Sequence, residues 1–316
     1  MTYDCQPLVW YRSATTAGRR VSMSRHNRPP VRIVSESGNN NEGTEMGIEG
    51  MRFVITGSAA GIGAATARVA ASKGAAVMVS DLASSAEAGE RVAADIRAAG
   101  GEADFFTCDV TDAEQVEALM AAAAERFGGI DVLHNNAGVH ETARAGEDTS
   151  LETMPVEVFR WVVEVNAIAP WVCAKAAVPY LKESDYASII NAASTGSQSA
   201  YPRNSAYGTS KGGIRLQTQN LAVDLAPYGI RVNCYGPTAI ATEMVTRFVQ
   251  QAEDPEAFEK ALVNTSLIPR LGLPSEVGEL VCFLASPQAS FINGAYILID
   301  GGSLAWRGTV DQIGLE

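Results

Sequence analysis

From Met51 to Gly302 the chain alternates short apolar runs with longer segments whose apolar positions recur at helical spacing. MRFVITG (51–57) closes on Gly57 and leads into GIGAATARVAASKG (61–74), a helical stretch ending on Gly74. AAVMVSD (75–81) reads as a second strand, and SSAEAGERVAADIRAAGG (84–101) as an amphipathic helix ending in two glycines. DFFTCDV (104–110) reads as a third strand, after which Thr111 and Glu114 form a capping-box pattern opening a helix to Phe127. IDVLHNNAG (130–138) is the fourth predicted strand, a long helical region covers 155–181, and SIINAAS (188–194) is the fifth strand. A helix from about 205 to 226 follows, then GIRVNCYGP (229–237), two further helical segments, and AYILIDGG (295–302). Apolar strands separated by helices imply a parallel sheet of about seven strands covered on both faces, because parallel neighbours need crossovers and those crossovers bury the sheet. No linker interrupts residues 50 to 302, so one domain over 49–305 is expected, with an arm at 1–48 and a tail at 306–316.

Two stretches on this pattern carry candidate chemistry. Thr56-Gly57-Ser58-Ala59-Ala60-Gly61-Ile62-Gly63 falls at the first strand-to-helix turn. Glycines there let backbone approach a pyrophosphate at the positive end of a helix. The spacing is G-x-x-x-G-x-G rather than the commoner G-x-G-x-x-G, so the glycines alone define only a tight turn. Asp81 changes that. It ends the second strand twenty residues beyond Gly61, where a carboxylate accepts hydrogen bonds from the adenosine ribose hydroxyls and repels a 2′-phosphate. NAD is therefore favoured over NADP. The second stretch is STGSQSAYPRNSAYGTSK (194–211). Tyr207 and Lys211 are four apart on a predicted helix, so an ammonium lies beside a phenol, and a nearby cation favours phenolate. A phenol tuned in this way passes a proton to or from an alcohol oxygen. Ser194, thirteen residues upstream at a strand end, is placed to hydrogen-bond the same oxygen. By itself Tyr-x-x-x-Lys is common, and an exposed Tyr beside a solvated Lys is the plain alternative.

The ends and the composition narrow the classes. The chain is 47% apolar and 19% charged, as a globular protein with ample core is. Its net charge of −12 argues against nucleic acid as a partner, since phosphate binding needs a basic face. Up to residue 34, six arginines (12, 19, 20, 25, 28 and 32) face one acid, Asp4, which leaves −17 for the remainder. This arm is expected to be a disordered tail or an over-long start, with an organelle transit peptide the less favoured reading. No apolar stretch of signal-peptide length and no uninterrupted apolar run long enough to span a membrane occurs, so a cytoplasmic location is expected. The cysteines at 5, 108, 173, 234 and 282 are scattered and read as small hydrophobes in a reducing compartment; with only His26, His134 and His140, no metal site is expected.

Taken together, TGSAAGIG, Asp109-Val110, Asn135-Asn136-Ala137-Gly138, Asn166, Ser194, Tyr207-x-x-x-Lys211 and Pro237…Thr242 stand in the order and spacing of the single-domain short-chain dehydrogenase/reductase family. The chain resembles that family over about residues 49–302. The resemblance implies an α/β fold of Rossmann type, a doubly wound parallel sheet in a single domain, and hydride transfer between NAD(H) and a secondary alcohol or ketone. It implies that Ser194 and Tyr207 hold the substrate oxygen, that Lys211 binds the nicotinamide ribose and lowers the Tyr207 pKa, and that Asn166 holds a water linking Lys211 to bulk. The cofactor residues it implies are Gly57, Ala60, Gly61, Ile62, Gly63, Asp81, Leu82, Asp109, Val110, Asn136, Ala137, Gly138, Tyr207, Lys211, Pro237, Ile240 and Thr242. Asp109 and Val110 would flank the adenine, Asn136 to Gly138 the adenosine side, and Ile240 and Thr242 the carboxamide. It also implies a homotetramer, or a homodimer, built on the helices around 155–181 and 205–226.

Plainer roles compete at several of these positions. Asp109 fits a turn, Asn136 can simply satisfy backbone groups, and Pro170 alone can kink the helix that holds Asn166. Thr238 stands where the family usually has Gly after Pro237, which predicts a locally different loop. Three rival functions remain on the sequence. A 3-oxoacyl-carrier-protein reductase fits poorly with an acidic chain and Asp81. A non-catalytic NAD sensor or scaffold has no need of the full Asn166, Ser194, Tyr207 and Lys211 set. An interaction protein acting through residues 1–34 would need an acidic partner. The expected pocket walls are 139–148, Gln198 to Arg203 and Met244 to Phe248, which suit a medium-sized, largely apolar alcohol or ketone, cyclic, terpenoid or steroid-like.

Overall fold

The seven apolar runs form one sheet whose strands are all parallel: β1 Arg52–Thr56, β2 Ala76–Asp81, β3 Glu102–Thr107, β4 Val132–Asn135, β5 Ser188–Ala192, β6 Arg231–Pro237 and β7 Tyr296–Ile299. The computed structural model describes residues 47–146, 148–306, 308–309 and 312. The expected arm lies outside the described residues except at Gly47 and Ile48, and Ile48 is buried in the core beside β1. The tail expected at 306–316 falls largely outside them as well.

Strand order is β3-β2-β1-β4-β5-β6-β7. The order reverses between β1 and β4, and in open α/β sheets such a switch point opens a crevice at the carboxyl ends of the strands. Helices cover both faces. α1 (Gly61–Ser72), α2 (Ala86–Ala98) and α10 (Pro274–Ala285) pack on one side around Phe53, Ile55, Val77 and Val79. On the other, α3 (Ala113–Phe127), α6 (Ala169–Leu181) and the end of α7 (Ser205–Leu225) surround Val54, Leu133, Ile189 and Val232. Adjacent strand residues thus alternate between two cores, which is why the strand runs are apolar at nearly every position.

Three local features differ from the sequence expectation. The cap of α3 is Asp112, whose carboxylate accepts the Glu114 and Gln115 N–H groups at 3.0 and 3.2 Å; Thr111 instead donates its hydroxyl to Asp109. Asp112 is extended and directly precedes α3, whereas the Thr111 hydroxyl is already given to Asp109, so the later residue takes the cap. The helical region from 155 to 181 is α5 (Val156–Val163), a π turn at Glu164–Ile168, and α6. Pro170 has no N–H for the carbonyl four residues back, and the ladder widens, with Ala169 N–H bonding to Glu164 O. Val156–Leu181 is long enough, and in its most apolar 18 residues (mean hydropathy 1.3) apolar enough, to cross a membrane by those measures; 44% of that window is buried inside the fold. Finally, three helices rather than two lie between β6 and β7: α8 (Glu243–Gln251), α9 (Pro255–Asn264) and α10. Asp254 separates the first two by accepting Ala257 N–H ahead of Pro255 at the first helical position. The short α4 (Thr142–Ala145) follows β4.

Candidate active site

At the switch point the β1–α1 turn is shaped by what a side chain would strike. A Cβ on Gly63 would lie 2.4 Å from the Gly57 carbonyl and 2.6 Å from Asn136 Nδ2; one on Gly57, at φ +64°, would lie 2.6 Å from Ala137 Cα. Asn136 pins this turn by donating to the carbonyls of Thr56 and Gly57 at 3.1 and 2.7 Å. Thr56 Oγ1 accepts the N–H groups of Asn136 and Ala137. No side chain caps the amino end of α1, whose N-cap is Ala60 and whose first turn holds no acid. An uncapped, positive helix end over a glycine turn suits an anion. Asp81 ends β2 with one carboxylate oxygen accepting Ala59 N–H at 3.0 Å and the other Leu82 N–H at 2.8 Å. These backbone bonds hold the carboxylate at the end of β2, and the glycine turn, open helix end and this acid together fit a dinucleotide.

The remaining predicted cofactor positions divide. Gly61, at φ +56°, faces the Thr242 methyl across the crevice, and Thr242 donates to the Ile240 carbonyl. Val110 and Ile240 are buried and Leu82 is exposed. Asp109 spends its carboxylate within its own turn, on the Thr111 N–H and hydroxyl. Pro237 ends β6. Thr238 keeps a negative φ, since Arg203 is the single non-glycine residue with positive φ among the described residues; the loop needs no glycine there.

The second half of the site is carried by β5, the turn after it and the first two turns of α7. Ser194, buried at the end of β5, accepts Gly196 N–H at 3.0 Å, and its carbonyl is held by the Tyr296 hydroxyl at 2.7 Å. Its hydroxyl and the Tyr207 ring come together at Gly196, where an added Cβ would stand 3.4 Å from Ser194 Oγ and 3.8 Å from Tyr207 Cε1. Lys211 lies one turn along α7, with Nζ 5.7 Å from the Tyr207 ring centroid and donating to the Ala192 carbonyl at 2.8 Å. A Cβ on Gly138 would stand 3.3 Å from Lys211 Nζ and 3.4 Å from Asn166 Oδ1, so the β4 end, α7 and the π turn converge there. Asn166 is committed on every side: it accepts Val139 N–H and donates to Val139 O and Ser210 Oγ. Its side chain thus pins the loop after β4, a use the expected water-holding role did not include.

The electrostatics also differ from expectation. The Tyr207 hydroxyl is pushed above its ordinary pKa, chiefly by burial; the Ser194 hydrogen bond opposes this, and the Glu141 charge adds to it. Burial draws Lys211 down to about 8. The helical spacing does stack ammonium near phenol, but loss of solvent around the phenol outweighs that proximity.

Spacing gave no sign of Glu141. It is fully buried, and its two carboxylate oxygens accept the Tyr207 N–H at 3.4 and 3.2 Å across 66 residues of sequence. His140, expected to be a packing or rim residue, stacks between the Tyr207 and Phe248 rings at 5.1 and 4.9 Å. A cleft of about 610 Å³ borders Tyr207 and is lined by Leu151, Gln198, Tyr201, Arg203 and Asn204 among others. Of the expected walls, Gln198 to Tyr201 and Arg203 line it, whereas Met244 to Phe248 and the described residues of 139–148 do not. Arg144 is stacked on Trp161 at 4.0 Å.

A doubly wound sheet with a glycine turn at its switch point and a Ser–Tyr–Lys group beside it defines a nucleotide-dependent oxidoreductase. Comparison with known proteins agrees: a family model described as enoyl-(acyl carrier protein) reductase matches residues 57–303. The chain belongs to the short-chain dehydrogenase/reductase family, and membership implies a nicotinamide cofactor. It is 37% identical over 252 residues to the cis-4-hydroxycyclohexanecarboxylate dehydrogenase of Sinomonas cyclohexanicum, covering 80% of this chain and 96% of that protein. Identity to the cyclopentanol dehydrogenase of Comamonas testosteroni is 34%, over 80% of this chain and 96% of that one. The crystal structure of a dehydrogenase/reductase from Sinorhizobium meliloti 1021 superposes with a TM-score of 0.73 at 34% identity, covering 82% of this chain and 96% of that chain.

Proposed function

We propose that the protein is an NAD-dependent dehydrogenase or ketone reductase acting on a secondary alcohol or its ketone, with Tyr207 as the proton-transfer group. The observation that carries this reading is the convergence of Tyr207, Ser194 and Lys211 beside the glycine turn. When bound, the nicotinamide supplies the hydride acceptor or donor. Ser194 and the Tyr207 hydroxyl hold the substrate oxygen between them. Lys211 sets the potential around the phenol and offers an ammonium to a ribose hydroxyl. In the reductive direction, Tyr207 donates its proton to the carbonyl oxygen as charge develops there, and Ser194 stabilises that oxygen through its hydroxyl. In the oxidative direction the Tyr207 oxygen takes the alcohol proton. Asn166 holds Val139 and Ser210 in place around this group. Asp81 supports NAD over NADP, because a 2′-phosphate would meet a carboxylate fixed by two backbone N–H groups.

The two relatives named above for cyclic alcohols support a cyclic secondary alcohol as the substrate class, and the cleft beside Tyr207 is of small-ligand size. Exposed Trp171 on α6 and Leu216 and Val223 on α7 support the homotetramer or homodimer that the family resemblance implies. The test is reduction of NAD⁺ and of NADP⁺ with a panel of cyclic and linear secondary alcohols, followed by absorbance of the reduced cofactor. Turnover with NAD⁺ and a cyclic alcohol supports the reading. Tight NAD⁺ binding with no turnover on any alcohol or ketone overturns it in favour of a cofactor-sensing role. The family model's acyl-carrier-protein description supports a second reading, tested by adding an acyl-carrier thioester to the same panel.

A further inference from the structure

Glu141 is a fully buried carboxylate standing at the amino end of a long helix. Its oxygens accept the N–H of Tyr207, the third residue of α7. Neighbouring contacts make this junction rigid. His140 Nδ1 accepts Thr142 N–H, so the neutral ring carries its proton on Nε2 and donates it to Asn204 Oδ1 at 3.0 Å, the residue just before α7. The His140 ring also lies against the Tyr207 ring. The His140 nitrogen nearest Glu141 is 3.8 Å away, and no Lys or Arg pairs with this carboxylate among the described residues. What compensates its burial is the positive end of α7.

We propose that Glu141 is a positioning residue for Tyr207, a buried anchor that fixes the first turn of α7 against the loop after β4 and so holds the phenol in its reacting place. The proposal rests on the reading of Tyr207 as the proton-transfer group. An α7 released from this anchor can rotate or slide by a fraction of a turn. Misplacement of about 1 Å costs on the order of 10²-fold in rate. The same anchor has an electrostatic side. The titratable groups around the phenol are Lys211 on α7, Glu141 and His140 from the loop after β4, Tyr201 from the segment after β5, and Tyr235 on β6. Among these Glu141 is the acid, and its charge disfavours the phenolate.

The experiment uses the full chain carrying Glu141→Ala, Glu141→Gln or Tyr207→Phe, with the best alcohol from the panel above. Measured for each are kcat, KM, NAD⁺ affinity, melting temperature and the pH profile of alcohol oxidation. Glu141→Gln keeps an oxygen for the Tyr207 N–H and removes the charge. It is expected to hold kcat within about fivefold while its alkaline rise in kcat moves to lower pH. Glu141→Ala is expected to lose kcat on the order of 10²-fold with NAD⁺ affinity within about twofold. Full kcat in Glu141→Ala, or a Glu141→Gln that loses as much kcat as Glu141→Ala with no move of its pH profile, overturns the proposal. Should the alanine variant not fold, the glutamine variant decides by its retained kcat and shifted profile. An active Tyr207→Phe overturns the underlying reading instead; an inactive Tyr207→Phe beside a fully active Glu141→Ala overturns the role of Glu141 alone.

Discussion

Replacing Gly63 with alanine sets two opposed effects against each other. Gly63 lies in the first turn of α1 at an ordinary helical φ, so alanine gains up to about 1 kcal/mol of helix propensity. Against that, the new methyl would stand 2.4 Å from the Gly57 carbonyl, 2.6 Å from Asn136 Nδ2 and 2.8 Å from Ser58 Cα. Two of these atoms are backbone of the turn itself, and the third is the amide that holds it by a 2.7 Å hydrogen bond. Only Asn136 Nδ2 ends a side chain, and its bonds to the Thr56 and Gly57 carbonyls hold it in place. Overpacking of this kind costs about 1–3 kcal/mol, and loss of the Asn136 hydrogen bond adds about 1 kcal/mol. The clash wins by about 2 kcal/mol, which lowers the melting temperature by roughly 4–8 °C. Because the turn must open to admit the methyl, NAD⁺ affinity is expected to fall about tenfold or more. Differential scanning fluorimetry without and with NAD⁺, plus a fluorescence titration of cofactor, reads both effects. A variant that melts at or above the wild-type temperature and binds NAD⁺ equally well would refute this account of the turn.

On the proposed reading Tyr207→Phe removes the proton-transfer hydroxyl, so turnover is expected to fall about 10³-fold with NAD⁺ affinity retained; steady-state kinetics and a binding titration check this. Asp81→Ala is expected to reduce the preference for NAD⁺ over NADP⁺ on the order of tenfold, read as the ratio of the two kcat/KM values. Burial pushes the His134 pKa from 6.5 down to about 3, so the unfolded chain binds the extra proton first as pH falls. Its contribution is present above pH 6.5 and lost toward pH 3, on the order of 4 kcal/mol; in His134→Gln this part of the acid destabilisation in urea melts should disappear, and an unchanged acid limb would count against it. The raised pKa of Tyr207 predicts alcohol oxidation that speeds up through the alkaline range and ketone reduction that holds from neutral pH downward; oxidation already maximal at neutral pH would contradict it.

The strands themselves and the glycine turn after the first of them were legible because both are local patterns of the chain. Apolar runs closed by glycine became strands, and the twenty-residue step from Gly61 to Asp81 is the length of one helix and one strand. Features that depend on competition were not legible. Thr111 has the capping-box spacing, but its hydroxyl is given to Asp109 and the cap falls to Asp112. The π turn was hidden because a helix tolerates Pro170 by widening its ladder rather than by ending. Glu141 was hidden for another reason: its partner lies 66 residues away, and no spacing rule joins a loop acid to the backbone of a distant helix.

Tyr207 and Lys211 show how far a local pattern carries. Four-residue spacing places the ammonium near the phenol, and it does so here. The sign of the resulting shift belongs to the surroundings, because desolvation acts on the phenolate and on the ammonium alike: it pushes the Tyr207 pKa up and draws Lys211 down to about 8. Both changes favour the neutral forms. Tyr207 therefore stands protonated at neutral pH, the state that a proton donor to a ketone requires. Lys211, at about 8, remains mostly cationic there and loses its charge as pH rises further. Because the Glu141 charge adds to the rise at Tyr207, removing that carboxylate favours the phenolate, the form that the proposed oxidative direction uses.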